Sequence, residues 1–229
     1  MIESLIVLFL SLLVFIFSME CFSSARKHFI QLKRSEESNM GAFSALDRMK
    51  SDLLDAGLGL IFPMRMGVLE GVTRDEEWLV ILSKDSDLTA LGNLVAGQTR
   101  VQLENTKGIN KGREVCLFDA DKGECHTVSS VAMDSIVLAS SLQHSYQRER
   151  VHFVLLRKIS LFLDESSNVI RRKVNASSAQ PLLEEVARFA FDHNSQSNLV
   201  RLSLSLEEQM EKNHEILVFP KNTALASLD

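Results

Sequence analysis

The sequence predicts an α+β protein: a long N-terminal helix, one half lodged in a membrane and one half amphipathic, packed on a C-terminal antiparallel β-sheet. Three observations carry this. Residues 1–22 hold 17 apolar side chains and only two charges, Glu3 and Glu20. No proline precedes Pro63 and no glycine precedes Gly41, so nothing forces a helical break before the glycines at 57 and 59. Beyond Pro63 the pattern changes to short apolar or alternating runs separated by polar turns, which is the pattern of strands.

The 229 residues allow one medium domain with an appendage. A net charge of -5 supplies no global positive field, which argues against nucleic acid as a partner. No second uncharged run approaches the ~20 residues a span requires, so a polytopic membrane protein is excluded. The expected division is a transmembrane segment over 1–22, a helical extension over 23–60 and a β-rich domain over 61–229.

The apolar run proper, residues 5–19, covers roughly 22 Å of a ~30 Å hydrocarbon core, and extending it to residues 1–22 reaches about 33 Å. The extension puts the Glu3 carboxylate at the bilayer boundary. Two readings of Glu3 stand on sequence: a functional intramembrane charge, or a head-group residue at the start of a signal anchor. A cleaved signal is disfavoured by the missing basic n-region. Arg26, Lys27, Lys33 and Arg34 follow the segment and, by the positive-inside rule, would hold the domain in the cytoplasm. Cysteines argue the other way. Cys116 and Cys125 flank a short polar loop between two strand-like runs, which suits a hairpin disulfide in an oxidising compartment. Two reduced thiols are the alternative, and Cys21 is left as a free thiol.

From residue 42 the series Ala42, Leu46, Met49, Leu53, Ala56 recurs at steps of four and three, giving one buried stripe for packing on the sheet. Asp47, Arg48, Lys50, Ser51, Asp52 and Asp55 are expected on the remaining surface. Gly57 and Gly59 stop the helix and Pro63 prevents its resumption. Strands are expected at 78–82, 101–103, 114–118, 125–131, 135–139, 151–163 and 169–174. Residues 182–192 are ambiguous, 199–206 alternate cleanly, and 216–219 close the domain.

No catalytic, metal or cofactor fingerprint is present. The six histidines are dispersed, and each reads as a surface or hydrogen-bonded strand residue. Glu184-Glu185 and Glu207-Glu208 read as solvated faces, because adjacent side chains diverge. Asp119, Asp121 and Glu124 around Gly123 resemble the opening of a calcium loop without its full ligand series, so a tight turn is preferred. Arg171-Arg172-Lys173 lacks interleaved aromatics, a weak nucleic-acid signal.

A lipid-embedded helix with a glutamate near its start, leading into an amphipathic half on a Cys-stapled antiparallel sheet, resembles the type IV pilin superfamily. Residues 39–60, NMGAFSALDRMKSDLLDAGLGL, look like the end of the long helix in PilW-type minor prepilins. The C-terminal order is similar too: residues 151–163, Val169-Ile170-Arg171-Arg172, residues 180–186 with Phe189 and Phe191, residues 200–206, and the closing Val218-Phe219-Pro220-Lys221-Asn222. J-type minor pseudopilins of type II secretion share that order. Residues 68–147 match only in general strand character. The family's basic leader, ending in Gly before Phe, is absent; were Met1 the third mature residue, Glu3 would fall on the family's invariant glutamate. The resemblance implies a noncatalytic subunit in the bacterial inner membrane, its domain in the periplasm, that helps initiate a pilus or pseudopilus near the tip. Implied partners are other minor and major pilins or pseudopilins, the inner-membrane assembly platform and, given an upstream leader, prepilin peptidase. The competing expectation is a signal-anchored periplasmic sensor or scaffold that does not polymerise.

Overall fold

The computed structural model describes residues 2–194, 196–207 and 212–226, so Met1 and Glu208 lie outside the described residues. Contacts divide the chain into two compact units, Met1–Ser44 and Ala45–Asp229.

The first unit is helical. Helix α1, Ile2–Leu54, runs for 53 residues, and Gly41, its one glycine, costs a helix interior only about 1 kcal/mol. Between residues 6 and 22 the large apolar side chains are 48–69% exposed, on every side of the helix. Ser11 and Ser18, the two serines in this stretch, donate their hydroxyls back to the carbonyls of Leu8 at 2.9 Å and Val14 at 2.8 Å. Neither hydroxyl therefore needs water. The helix is long and apolar enough to cross a membrane, with a mean hydropathy of 2.3 in its apolar window. Cys21 is an exposed free thiol.

The second unit begins with the last turns of α1, where Ala45, Leu46, Met49 and Leu53 are buried and Asp47, Arg48, Lys50 and Ser51 are exposed. Gly57 ends the helix in a left-handed conformation, φ 71°, and donates its N–H to Leu82 O at 2.7 Å. The expectation that Pro63 prevents resumption is corrected. A short helix α2, Ile61–Arg65, contains it. Pro63 sits in the first turn, where a missing N–H leaves no helical bond unmade.

The main sheet is antiparallel throughout and built around β7, His152–Asp164. Along one edge β7 pairs with β2, Trp78–Leu88, which pairs in turn with β1, Val72–Asp75. Its other edge is shared: residues 152–155 pair with β4, Glu114–Phe118, and residues 159–164 with β8, Val169–Val174. Beyond β4 follow β5, Gly123–Val131, β6, Ser135–Leu138, and β3, Arg100–Gln102. Strand β9, Gln180–Leu183, extends β8 at the edge, where Pro181 is tolerated because no neighbour needs its N–H. A second sheet contains β10, Val186–Asn194, β11, Leu199–Leu206, and β12, Asn213–Val218, followed by α3, Lys221–Ala226.

The two-residue strand period sends alternate side chains of β4 and β7 into two cores on opposite faces. Val115, Leu117, Phe153 and Leu155 join a core with Leu103, Ile136, Leu138 and Tyr146. Cys116, Phe118, Val154 and Leu156 join another with Leu60, Val80 and Leu82. This is why 153–156 is uniformly buried instead of alternating. The ambiguous stretch 182–192 divides between β9 and β10 at Glu185, which adopts a left-handed φ of 58°.

Candidate functional site

Glu3 lies in the first turn of α1, its side chain exposed, immediately before the all-round apolar surface. A surface without a polar face has no stable exposure to water, so residues 6–22 require lipid or other apolar helices around them. Among the described residues from 2 to 22, the only charged side chains are Glu3 and Glu20, toward the two ends of that stretch.

The stripe residues Ala42, Leu46, Met49, Leu53 and Ala56 are all buried, none more than 3% exposed. Asp52 corrects its expected place on the solvated surface: it is 3% exposed. Its carboxylate accepts two hydrogen bonds from Arg172 of β8, from Nε at 2.6 Å and from Nη2 at 2.9 Å. Those bonds push the guanidinium pKa up, against the opposing effect of burial. This fork-shaped pair ties the end of α1 to the sheet with a defined face inward. Asn222 at the start of α3 adds bonds to the carbonyls of Leu54 and Ala56, which the end of a helix leaves open.

Arg171-Arg172-Lys173 is not an open basic patch. Arg171 pairs with Asp164 at 2.7 Å, Arg172 with Asp52, and Lys173 lies over the Trp78 ring at 5.9 Å.

Cys116 and Cys125 stand directly opposite each other on β4 and β5 and are disulfide-bonded. The turn between them is tight, as expected. Asp119 Oδ1 accepts the backbone N–H of Asp121 at 2.9 Å and of Lys122 at 3.1 Å. Glu124 points to the opposite face from Cys125, so the acids of this loop do not converge. No group of three metal-ligating side chains exists among the described residues.

A buried polar network, missed in the sequence, occupies that opposite face. Glu124 and His126 are two apart on β5 and therefore side by side, 7% and 6% exposed. Burial pushes the Glu124 carboxyl up, but the N–H of Gln143 at 2.8 Å, His126 Nε2 at 2.6 Å and the N–H of His144 at 3.0 Å hold it below its usual value. An ionised Glu124 accepts only, so His126 Nε2 donates to it, and Nδ1 lies 2.8 Å from the Ser140 hydroxyl. Burial, then the charge of Glu124, drives the Tyr146 phenol above its ordinary range. Its Oη is buried, on the side of the Glu124 charge. Ser140, His126 and Glu124 form a chain like that of a serine hydrolase. The Gln143 and His144 amides both donate to Glu124, so the network ties β5 to the loop over 139–146. The Glu-x-His spacing on a strand was the available signal.

Glu184 and Glu185 are exposed at the β9–β10 turn, as expected for a solvated pair. His214 is buried, and burial followed by the Lys212 charge lowers its pKa.

No family model matches the chain, and no curated protein matches it. Among solved structures it is similar to the Gp54 tailspike of Acinetobacter baumannii bacteriophage AP22 in complex with A. baumannii capsular saccharide, at 15% identity and TM-score 0.30, over 34% of this chain and 15% of that one. The gp61 tailspike of Pseudomonas phage phi297 matches at 19% identity and TM-score 0.28, over 32% and 14% of the two chains. The phage phi92 endosialidase matches at 10% identity and TM-score 0.21, over 61% and 33%. The chain thus spans a third or less of the length of each, and likenesses this slight carry no argument about its fold or function.

Proposed function

We propose that the chain is a noncatalytic minor pilin-like or pseudopilin-like subunit, held by one span in a bacterial inner membrane, that enters a type IV pilus or type II secretion pseudopilus near the tip and helps initiate its assembly. The observation that carries this reading is a single helix that changes from an all-round apolar surface to a one-sided buried stripe ending on an antiparallel sheet. The first half suits lipid before assembly and neighbouring helices after it. The disulfide favours an oxidising compartment, hence a periplasmic domain. In this reading residues 1–22 are the span, 23–60 the helical extension and 61–229 the periplasmic domain. Other minor and major subunits and the inner-membrane platform are its partners.

The test is fractionation of a fibre-producing host. The chain should appear in sheared fibres or in a complex with other minor subunits, and its deletion should lower fibre number. A chain that stays wholly in the membrane, with fibre number unchanged on deletion, would instead support an anchored sensor or scaffold.

A further inference from the structure

The second unit contains a cleft of about 710 Å³ beside the disulfide hairpin, within the ~300–1,000 Å³ usual for ligand sites. Its floor is a column of three rings. Phe62 of α2 stacks on Phe118 of β4 with centroids 5.9 Å apart, and Phe118 stacks on His152 of β7 at 5.4 Å. Phe118 is nearly buried, whereas Phe62 is 44% exposed although it belongs to an ordered helix. An aromatic left open at the mouth of a cleft offers its face to an occupant.

Charges on the rim narrow the occupant's chemistry. The lining carries four carboxylates, Asp87, Asp119, Asp121 and Glu149, against the cations Lys84 and Arg150. Lys84 is closed off by Asp87 at 3.1 Å. Asp119 is taken by the amides of its own turn and by Lys122 at 3.7 Å. The carboxylates of Asp121 and Glu149 have no hydrogen bond or ion pair among the described residues. Two uncommitted carboxylates therefore line the same cleft as the ring column, together with one cation, Arg150, outside these pairs.

We propose that this cleft binds an arginine side chain presented by a segment of a partner protein. A guanidinium is planar, so it stacks on Phe62, the exposed end of the ring column, while its edge donates to Asp121 and Glu149; a neutral or anionic group would forgo one or both interactions. The volume exceeds that of one side chain, so flanking residues of the segment enter with it. The site does not rest on the assembly reading, since a sensor domain with the same cleft would bind the same chemistry.

The experiment uses the full chain in lipid nanodiscs, with the His152 ring signal followed by NMR. Probes are acetyl-Ala-Arg-Ala-amide, the same peptide with citrulline, and acetyl-arginine-amide. The arginine peptide should shift His152 saturably, with half-saturation at about 1–20 mM. Citrulline should bind at least about fivefold more weakly, and so should the arginine peptide to an Asp121→Asn/Glu149→Gln variant. Phe62→Leu, at a half-exposed position, should weaken binding about two- to threefold without altering melting. Equal binding of citrulline and arginine, an unchanged affinity in the carboxamide variant, or no saturable shift would overturn the site. Equal binding of the single amino acid and the peptide would overturn the polypeptide partner.

Discussion

Residues 6–22 and residues 45–54 belong to the same helix, yet their apolar side chains meet opposite fates. In the first stretch Leu13 is 48% and Phe17 68% exposed; in the second Met49 and Leu53 are 0% exposed. Composition does not separate a leucine in one from a leucine in the other. The separation lies in what surrounds them. The first stretch has apolar groups on every side and charges only at its ends, so no single protein face could cover it. The second confines its apolar groups to one stripe, with charges elsewhere, so a sheet can. One helix thus carries two kinds of apolar surface, one open on every side and long enough to cross a membrane, the other covered by protein.

That comparison is broken most severely at Asp52. Asp52→Ala strands the Arg172 guanidinium, which is 14% exposed, and should cost about 3–5 kcal/mol of unfolding free energy, read by near-UV circular dichroism of Trp78. Membrane association should be unaffected. The paired substitution Leu53→Ala and Leu13→Ala isolates the two surfaces: the first should cost about 3 kcal/mol by opening a core cavity, the second should leave the melting temperature unchanged. Removing the disulfide by Cys116→Ala/Cys125→Ala should cost about 2.5 kcal/mol for a sequence separation of 9. Nonreducing peptide mapping of the native protein should find the bond.

Smallest is the Glu124 clamp. Glu124→Gln sets an amide N–H₂ against donors and should cost about 2 kcal/mol. Because the folded-state pKa of Glu124 is depressed from its model-compound value of 4.5, its contribution is present above that value and is lost as the pH falls through the folded one. Stability of the wild type should decline more steeply with acidification than that of Glu124→Gln, measured by thermal melts across the acid range.

The elements legible from sequence are those whose signal is local. β8 and β11 carry the residue ranges expected, 169–174 and 199–206, since a short run after a polar turn and a clean two-residue alternation are both local signals. The stripe from Ala42 to Ala56 was legible for the same reason. Asp52 was not: its partner lies 120 residues away, and only the fold brings the two together. β12 starts at Asn213, three residues before the apolar run at 216, because pairing with β11 extends a strand beyond its own pattern. The Glu124 network hid behind a misleading local cue, an acidic turn, although Glu124 and His126 already shared a strand face. The cleft was illegible altogether, since Phe62, Phe118 and His152 come from three separate elements.

In the proposed assembly role the apolar half of α1 carries the chain into a fibre, with Glu3 as the charge that specifies entry. An isolated carboxylate in a membrane costs about 2.5–3.5 kcal/mol on insertion scales, and a free N-terminal amine on an adjacent subunit, the partner implied by the pilin resemblance, would offset it. The most direct measurement is the amount of Glu3→Leu protein recovered in sheared fibres or the tip complex, normalised to its membrane level. The account predicts normal membrane insertion, an unchanged melting temperature and a clear loss of incorporation. Native-level incorporation of Glu3→Leu would contradict it.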